Sequence, residues 1–358
     1  MKSSRKDVGC KAHAVPKLKS ETQSLTSFAG LVGFQVFFAR IELKARLGRC
    51  FAHLSDGKVY CRATLFLQLM LHLLLGYREL RDARYYGGDP LVKRLLGLRR
   101  LPDVATISRM LRDADAKSVA GLRGLLRDLL FTRLQDLRLA RITLDFDGSV
   151  QSTTRRAEGT AVGFNKKKKG ARSYYPLFCT IAQTGQVLDF LHRSGNVHDS
   201  HGAREFILAC IQAVREALPG VLIEVRMDSA FFSDQIVMAL DEAGIEFSVR
   251  VPFERFVELK GKIQRRKRWR RLGGDVAYFE EPWKPKVWNR RFRFLFLRTR
   301  AKRTPLWAFE YLHTFRSALI QRAGRLTRPH GKLTLTISAN HWIKSRLLNL
   351  LKRLHNAA

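Results

Sequence analysis

The sequence predicts a fold of mixed α+β and α/β class, in which an all-helical N-terminal region precedes a mixed β-sheet with flanking helices. Three observations lead to this prediction. Between Leu25 and Leu139, leucines recur at spacings of three and four residues, which is the period of a buried helix face. At Arg141 the apolar period changes to two, which is the period of a strand. Predicted strands and helices then alternate along the chain.

The N-terminal part of the chain is predicted to hold a basic arm and a helical domain. Residues 1–24 are basic and polar, so we expect them to form a disordered arm. Residues 25–139 are the predicted helical domain, which we expect to bind DNA. Its predicted helices are Thr64–Leu75, Lys93–Leu98 and Ala120–Leu130.

The middle of the chain, residues 140–255, is predicted to form a single sheet with helices. Ile142, Leu144 and Phe146 alternate with polar residues and predict its first strand. A hairpin follows, formed by Tyr174–Gln183 and Gln186–Arg193. After it come a helix at Gly202–Leu218, a strand at Val221–Met227, a helix at Ser233–Ala243 and a last strand at Ile245–Val251. Three antiparallel strands followed by parallel strand–helix units is the order of the ribonuclease H-like fold.

The C-terminal part of the chain differs again in composition. Residues 256–300 contain the basic run Gln264–Arg271 and an aromatic, arginine-rich β region at Asp275–Arg300. Residues 301–358 form a short basic segment with one predicted helix at Trp342–Leu354. We therefore expect two further regions after the sheet.

The charge of the chain predicts a polyanionic partner. Lys and Arg number 66 against 31 Asp and Glu, which leaves a formal charge of +35. Such an excess repels itself unless a polyanion neutralises it, and nucleic acid is the usual one. The apolar run Leu65–Leu75 is about half the length of a membrane span. Five dispersed cysteines fit a reducing compartment, so we expect a cytoplasmic protein that does not bind a membrane.

Three aspartates are the strongest candidates for chemistry. Asp145 and Asp147 share one face of the predicted strand, because side chains two residues apart point the same way. Asp228 follows the strand Val221–Met227, which the predicted order places beside the first strand. Converging carboxylates repel each other, and a divalent ion such as Mg²⁺ commonly holds them together in phosphodiester cleavage. The alternative is that these aspartates only cap strands and turns.

The segment Leu101–Ala114 resembles the recognition helix of a helix-turn-helix motif. Ala105, Ile107, Met110 and Leu111 are expected to pack inward behind the capping residue Asp103. The residues expected to face DNA are Thr106, Ser108, Arg109 and Arg112. An amphipathic core helix with solvated arginines is the alternative.

Two basic segments are further candidates for contact with nucleic acid. The first is a lysine loop formed by Lys166, Lys167, Lys168 and Lys169. The second contains Arg268 and Trp269, whose indole could stack on an unpaired base. Both segments could equally be solvated loops.

Several stretches resemble transposases of the insertion sequence 1380 family, which are bacterial enzymes of the DDE class with a ribonuclease H-like core. These are LTSFAG at 25–30, GYRELRD at 76–82, residues 101–111, ITLDFDGSV at 142–150, SYYPL at 173–177, SGN at 194–196, RMDSAFFS at 226–233 and residues 321–340. The resemblance implies that Asp147 and Asp228 are the first and second metal-binding aspartates. Asp145 is the other acidic residue of the first motif and stays an alternative ligand.

The same resemblance implies that an internal segment has been lost. In the family, a β-insertion is followed by a helix whose glutamate is the third ligand, within the pattern Y-x-x-R-x-x-x-E-x-x-x-x-x-x-K. No stretch of this chain fits the pattern. Residues 256–300 stand where the β insertion begins and resemble a truncated form of it. Weak substitutes for the missing glutamate are Glu254, Glu258 and Glu310.

The resemblance also implies the reaction and its partners. We expect hydrolysis dependent on Mg²⁺ or Mn²⁺ at the ends of an element, followed by strand transfer into target DNA. The partners would be double-stranded DNA, carrying terminal inverted repeats, and a second copy of the chain in a homodimer. The alternative is a non-catalytic DNA-binding protein, either a decayed transposase or a nucleoid-associated protein.

Overall fold

The computed structural model describes residues 24–154, 156–163, 165, 168–198, 200–252, 255–273, 276–299, 324–327, 334–337, 348–349 and 351–352. These residues fall into two units, one drawn from Met1–Ala116 with Ala308–Ala358 and the other from Lys117–Trp307. Within these ranges, every helix is too short or too polar to traverse a lipid bilayer.

The first unit combines short helices with a small sheet. Its helices are α1 (Leu31–Arg40), α2 (Leu43–Cys50), α3 (Arg62–Leu75), a 3-10 helix (Leu80–Tyr85), α4 (Pro90–Leu96) and α5 (Val104–Arg112). The sheet joins β1 (Leu25–Thr26) to two strands from near the other end of the chain, β13 (Gly324–Thr327) and β14 (Thr334–Ile337). No local pattern in the sequence predicts this sheet, because strands so far apart in the chain carry no local pairing signal.

The second unit is built on a five-stranded central sheet. Its strands are β2 (Arg141–Gly148), β6 (Leu177–Ile181), β7 (Gln186–Leu191), β8 (Leu222–Met227) and β9 (Glu246–Val249). They lie in the order β7-β6-β2-β8-β9, and β2 pairs antiparallel with β6 and parallel with β8. This is the strand order of the ribonuclease H-like fold, so the predicted fold class is confirmed.

One face of the central sheet packs into a single hydrophobic core. Ile142, Leu144 and Phe146 of β2 are at most 2% exposed and lie in this core. Buried residues of three helices join them, from α6 (Ala116–Leu137), α7 (Ala203–Ala217) and α8 (Asp234–Glu242). Since side chains alternate along a strand, the residues between the core positions point to the opposite face. That second face carries Asp145 and Asp147.

Two smaller sheets complete the second unit. The strands β3 (Gln151–Ser152), β4 (Ala161–Val162) and β5 (Arg172–Tyr174) form a sheet in the order β3-β5-β4. The helix α9 (Val257–Arg265) precedes β10 (Arg270–Gly273), β11 (Val276–Trp283) and β12 (Phe292–Thr299), which form an antiparallel sheet. An aromatic cluster including Phe279, Trp283, Phe294 and Phe296 lies between this sheet and α9.

Candidate catalytic site and nucleic-acid interface

Two aspartates lie at the ends of neighbouring parallel strands in the middle of the central sheet. In the pairing between β2 and β8 the last partners are Phe146 and Met227, and Asp147 and Asp228 are the residues that follow them. Both aspartates are exposed. Because adjacent strands are roughly 5 Å apart, this register brings the two residues side by side.

The sequence around Asp228 fixes that residue from both sides. Its Oδ1 accepts a hydrogen bond from the backbone N–H of Ala230 at 2.9 Å, which caps a 3-10 turn. Phe231 is buried in the main core, and the ring of Phe232 stacks on Trp288 with centroids 4.9 Å apart. Ser233 then caps α8, as predicted. The D-S-A-F-F-S motif is therefore a rigid turn that holds Asp228 at the strand end.

The glycine after Asp147 leaves room for a tyrosine. A Cβ at Gly148 would lie 2.5 Å from the phenol oxygen of Tyr175, so a larger residue would require the Tyr175 ring to move. The guanidinium of Arg193 lies 5.1 Å from the centroid of the Tyr175 ring, and its Nε donates to the Tyr175 carbonyl at 3.0 Å. Tyr175 therefore packs closely against the end of β2.

Asp145 is bound by an arginine of the neighbouring strand. Asp145 and Arg226 are paired in register, and Arg226 donates from Nε to Oδ1 at 2.6 Å and from Nη2 to Oδ2 at 2.7 Å. This bidentate bond raises the pKa of Arg226. Both carboxylate oxygens of Asp145 therefore face a cation of the protein, which disfavours a role for Asp145 as a metal ligand.

The described residues supply two carboxylates to this strand end rather than three. No group of three or more His, Cys, Asp and Glu side chains within the described ranges is placed to hold a metal ion. Asp147 and Asp228 still fit Mg²⁺ or Mn²⁺, because both ions prefer carboxylate oxygens and both side chains are exposed at adjacent strand ends. The expected convergence of Asp145 with these two is not formed, because Asp145 is held by Arg226.

The structure leaves the third acidic position without an assigned residue. Glu258 lies in the first turn of α9 and accepts a hydrogen bond from the indole N–H of Trp283 at 3.4 Å. That contact turns the Glu258 carboxylate towards the small sheet formed by β10, β11 and β12. Glu254 and Glu310 lie outside the described residues.

Helix α5 carries the predicted recognition residues in the first unit. Asp103 caps it by accepting a hydrogen bond from the N–H of Thr106 at 2.7 Å. The hydroxyl of Thr106 and then its backbone N–H lower the pKa of Asp103. Ile107 and Met110 are buried against Leu65 of α3, as predicted. Ser108, Arg109 and Arg112 are exposed, and Thr106 is half-buried and accepts a hydrogen bond from Arg109.

Two inward positions of α5 were predicted wrongly. Ala105 is exposed and Leu111 is 40% exposed. The helix is only nine residues long, and its contacts to α3 cover a narrow stripe centred on Ile107 and Met110. Ala105 is two positions before Ile107 and therefore points away from this stripe, whereas Leu111 follows Ile107 by one turn and stays partly exposed at its edge.

The two other basic segments differ in exposure. Lys168 and Lys169 are exposed, whereas Lys166 and Lys167 lie outside the described residues. Arg268 is exposed, but Trp269 is half-buried: its ring meets Phe279 edge-on at 4.8 Å, and the guanidinium of Arg298 covers it at 4.5 Å. In this arrangement the indole belongs to the aromatic cluster of the small sheet.

Two features of the site were missed in the sequence analysis. One is the bond from Arg226 to Asp145. The sequence contained a signal for it, because Arg226 follows Asp145 by the same number of positions (226 − 145 = 81) as Asp228 follows Asp147 (228 − 147 = 81). The other is a buried ion pair in which Arg123 and Arg127 of α6 bind Asp189 of β7, and Asp189 is 1% exposed. No periodic pattern in the sequence marks such a pair.

Comparison with known proteins adds a family and several solved structures. A family model described as Transposase DDE domain group 1 matches residues 11–306 of this chain. No curated protein sequence matches it.

The solved structures are all distant in sequence. The piggyBac transposase synaptic complex with hairpin DNA is 13% identical, with a TM-score of 0.34, over 74% of this chain and 60% of that one. The catalytic domain of Mos1 mariner transposase is 10% identical, with a TM-score of 0.23, over 41% of this chain and 72% of that one. The Drosophila P element transposase strand transfer complex is 12% identical, with a TM-score of 0.30, over 58% of this chain and 45% of that one. The chain thus spans 60% of the length of the piggyBac protein.

Proposed function

Because this chain belongs to the family described as Transposase DDE domain group 1, we propose that it is a DNA transposase whose phosphodiester chemistry takes place at Asp147 and Asp228. The observation that carries the proposal is the position of these two exposed carboxylates, which follow the last paired residues of two parallel strands. The reaction would be hydrolysis at the ends of an element followed by strand transfer into target DNA.

The carboxylates of Asp147 and Asp228 would hold a divalent cation, Mg²⁺ or Mn²⁺. Two carboxylates on adjacent strand ends repel each other, and a bound cation removes that repulsion. Such an ion supplies Lewis-acid activation of a water or hydroxyl nucleophile and neutralises charge on the leaving oxygen. The protein's own contribution would be positional, because the capped turn holds Asp228 and the packing of Tyr175 on Gly148 constrains the backbone next to Asp147.

Double-stranded DNA would be the partner of two surfaces. In the first unit, Thr106, Ser108, Arg109 and Arg112 of α5 would contact the terminal inverted repeats, as in a helix-turn-helix protein. In the second unit, Lys166, Lys167, Lys168, Lys169 and Arg268 would contact the phosphate backbone. Trp269 would support this surface by packing under Arg298. The net charge of +35 supports both assignments.

The biological setting follows from the resemblance to insertion sequence 1380 transposases. The chain would act as a homodimer on the two ends of a bacterial insertion sequence, in the cytoplasm and on the nucleoid. An internal deletion would have removed the helix that carries the third acidic ligand. Among the weak substitutes for that ligand, the structure describes Glu258, which accepts a hydrogen bond from Trp283.

A second function, binding of DNA without catalysis, is favoured by one observation. Asp145 is engaged by Arg226, and no third carboxylate of the described residues joins Asp147 and Asp228. A two-metal reaction needs each ion fixed relative to the scissile phosphate, and misplacement by about 1 Å can cost on the order of 100-fold in rate. A decayed transposase of this kind would still recognise its ends.

One assay separates the two functions. A plasmid carrying the DNA that flanks the coding sequence is incubated with the chain, with its Asp147→Asn variant and with Mn²⁺. Cleavage at the flanking ends by the parent alone supports the transposase. Equal cleavage by parent and variant would refute Asp147 as a catalytic residue. Specific binding of the ends without cleavage would support the decayed form.

A further inference from the structure

A basic pocket lies on the small sheet that follows the candidate catalytic strand. It has a volume of about 440 Å³ and is lined by Ser152, Thr153, Thr154, Arg156, Lys168 and Arg172. No acidic side chain is present among the described residues that line it. Guanidinium, ammonium and hydroxyl groups around a concave surface are the groups with which proteins bind phosphate oxygens.

Arg172 is fixed in this pocket by the strand next to it. Its Nε donates to the hydroxyl of Thr160 at 3.0 Å, and its Nη2 donates to the carbonyl oxygen of the same residue. Thr160 is 5% exposed, so the partner is itself immobilised. The backbone N–H of Thr153 donates to the Arg172 carbonyl at 2.9 Å. The guanidinium is therefore held in place before any ligand arrives, which reduces the entropy cost of binding.

Lys168 is fixed at the other side of the pocket by a buried asparagine. Asn165 is 6% exposed, and its side-chain amide donates to the hydroxyl of Ser152 at 2.8 Å. Its carbonyl oxygen accepts a hydrogen bond from the backbone N–H of Lys168 at 3.0 Å. Asn165 therefore links the backbone of Lys168 to Ser152 of β3, and the ammonium of Lys168 extends from this anchored backbone.

The strands of the candidate catalytic site and of the pocket belong to two sheets but keep one pairing register. Asp147 pairs with Phe178 and Gly148 with Leu177 in the β2–β6 ladder, and Gln151 pairs with Tyr174 in the β3–β5 ladder. The register does not shift between the two ladders. Ser152 is five residues beyond Asp147, and Ser149 and Val150 between them belong to neither strand, so the two residues are at most about 18 Å apart. DNA rises about 3.4 Å per nucleotide along one strand, so this span covers at most roughly five nucleotides.

We propose that this pocket binds a backbone phosphate of the DNA strand that reaches Asp147 and Asp228, within about five nucleotides of the phosphodiester that is cut. The inference rests on the proposed function, because it assumes that DNA follows the course of the chain from β2 to β3. Arg156 and Lys168 supply the charge from the exposed rim, and Arg172 supplies a fixed guanidinium deeper in the pocket. The pocket would set the register of the strand in the catalytic site.

The test measures how salt affects DNA binding in the absence of divalent metal. The probe is a duplex of about 30 base pairs of arbitrary sequence, long enough for roughly three helical turns, and the full-length chain is titrated in EDTA. The variants are Arg156→Gln, Lys168→Gln and the double variant. Arg133→Gln is the matched control, since Arg133 is an exposed cation of α6 that does not line the pocket.

Each pocket variant is expected to reduce the slope of log K against log salt concentration by about 0.9, because one phosphate contact is lost. That change is roughly an eightfold difference in affinity over a tenfold range of salt. The Arg133→Gln control should keep the parent slope. An unchanged slope in the double variant overturns the proposal.

A second titration identifies the source of the phosphate. Inorganic pyrophosphate is titrated into the parent and the double variant by calorimetry. If pyrophosphate binding depends on Arg156 and Lys168 while the DNA slope does not, the pocket takes a free phosphate and the DNA assignment is wrong. A parent that binds no DNA overturns both the proposed function and this inference. If the pocket variants change the salt slope as expected but the parent does not cleave the DNA ends, only the proposed function is overturned.

Discussion

Arg226 holds Asp145 through two hydrogen bonds, from Nε at 2.6 Å and from Nη2 at 2.7 Å, across the register of two parallel strands. Two residues further along are Asp147 in β2 and Asp228, which directly follows β8. Asp145 is thus bound by an arginine of the neighbouring strand, and Asp147 and Asp228 are two exposed carboxylates beyond that pair. We therefore expect the two acidic residues of the first motif to have different roles.

Replacing Asp145 is expected to affect stability more than metal binding. In Asp145→Asn the bidentate ion pair is lost, and because both side chains are partly exposed, the free energy of unfolding should fall by only about 0.5–1 kcal/mol. Affinity for Mn²⁺ should stay within about twofold of the parent. Urea unfolding and calorimetry measure the two quantities. Loss of Mn²⁺ binding in Asp145→Asn would identify Asp145 as the true ligand.

Replacing the exposed arginines of α5 is expected to weaken binding to the ends of the element. Arg109→Ala and Arg112→Ala each remove a contact to a base or a phosphate, worth about 1–3 kcal/mol. The matched control is Arg49→Ala, an exposed arginine of α2. A gel-shift titration compares the three variants on a fragment carrying an inverted repeat. If Arg109→Ala and Arg112→Ala bind as tightly as the Arg49→Ala control and the parent, α5 is not a recognition helix.

The buried ion pair at Asp189 is expected to stabilise the second unit in a pH-dependent way. Burial tends to raise the pKa of Asp189, but hydrogen bonds from Arg123, the N–H of Phe190 and Arg127 outweigh burial and lower it. A carboxyl whose pKa is lower in the folded state stabilises the fold above its unfolded pKa. That contribution is lost as the pH falls through the folded value.

Asp189→Asn should therefore lower the free energy of unfolding at pH 7 by about 3 kcal/mol, since two arginines are left without their carboxylate. The difference from the parent should shrink below about pH 4, where the carboxyl of the unfolded chain is protonated. Asp136→Asn, an exposed position of α6, is the control and should change little. A difference between Asp189→Asn and the parent that is constant from pH 7 to pH 3 would contradict this account.

Local patterns in the sequence were sufficient to predict the central sheet and its helices. The alternation at Ile142, Leu144 and Phe146, the apolar run of Val221–Met227 and the Ser233 cap are all signals within one element, and the structure has these elements. The order of these elements predicted that β2 and β8 lie side by side, and the two strands are paired in the structure. Strand order was predictable here because the rules for connecting strands leave few possible topologies.

Interactions between distant segments were not predictable in the same way. The pairing of β1 with β13 depends on two short segments at opposite ends of the chain. The partners of Asp189 come from a helix more than 60 positions earlier in the sequence (189 − 127 = 62). The bond between Asp145 and Arg226 follows from the register, which sequence patterning fixes only once the strands are paired. Each of these features therefore required the three-dimensional structure.

The measurement that tests the central assignment most directly is calorimetric titration of Mn²⁺ into the parent, Asp147→Asn and Asp228→Asn. Asparagine keeps the ability to cap the turn at Ala230, so Asp228→Asn removes the charge while preserving the local fold. Binding should be present in the parent and absent in both variants, and DNA affinity in EDTA should be equal or slightly higher. Equal Mn²⁺ affinity in the parent and either variant would contradict the assignment of Asp147 and Asp228 as the metal-binding pair.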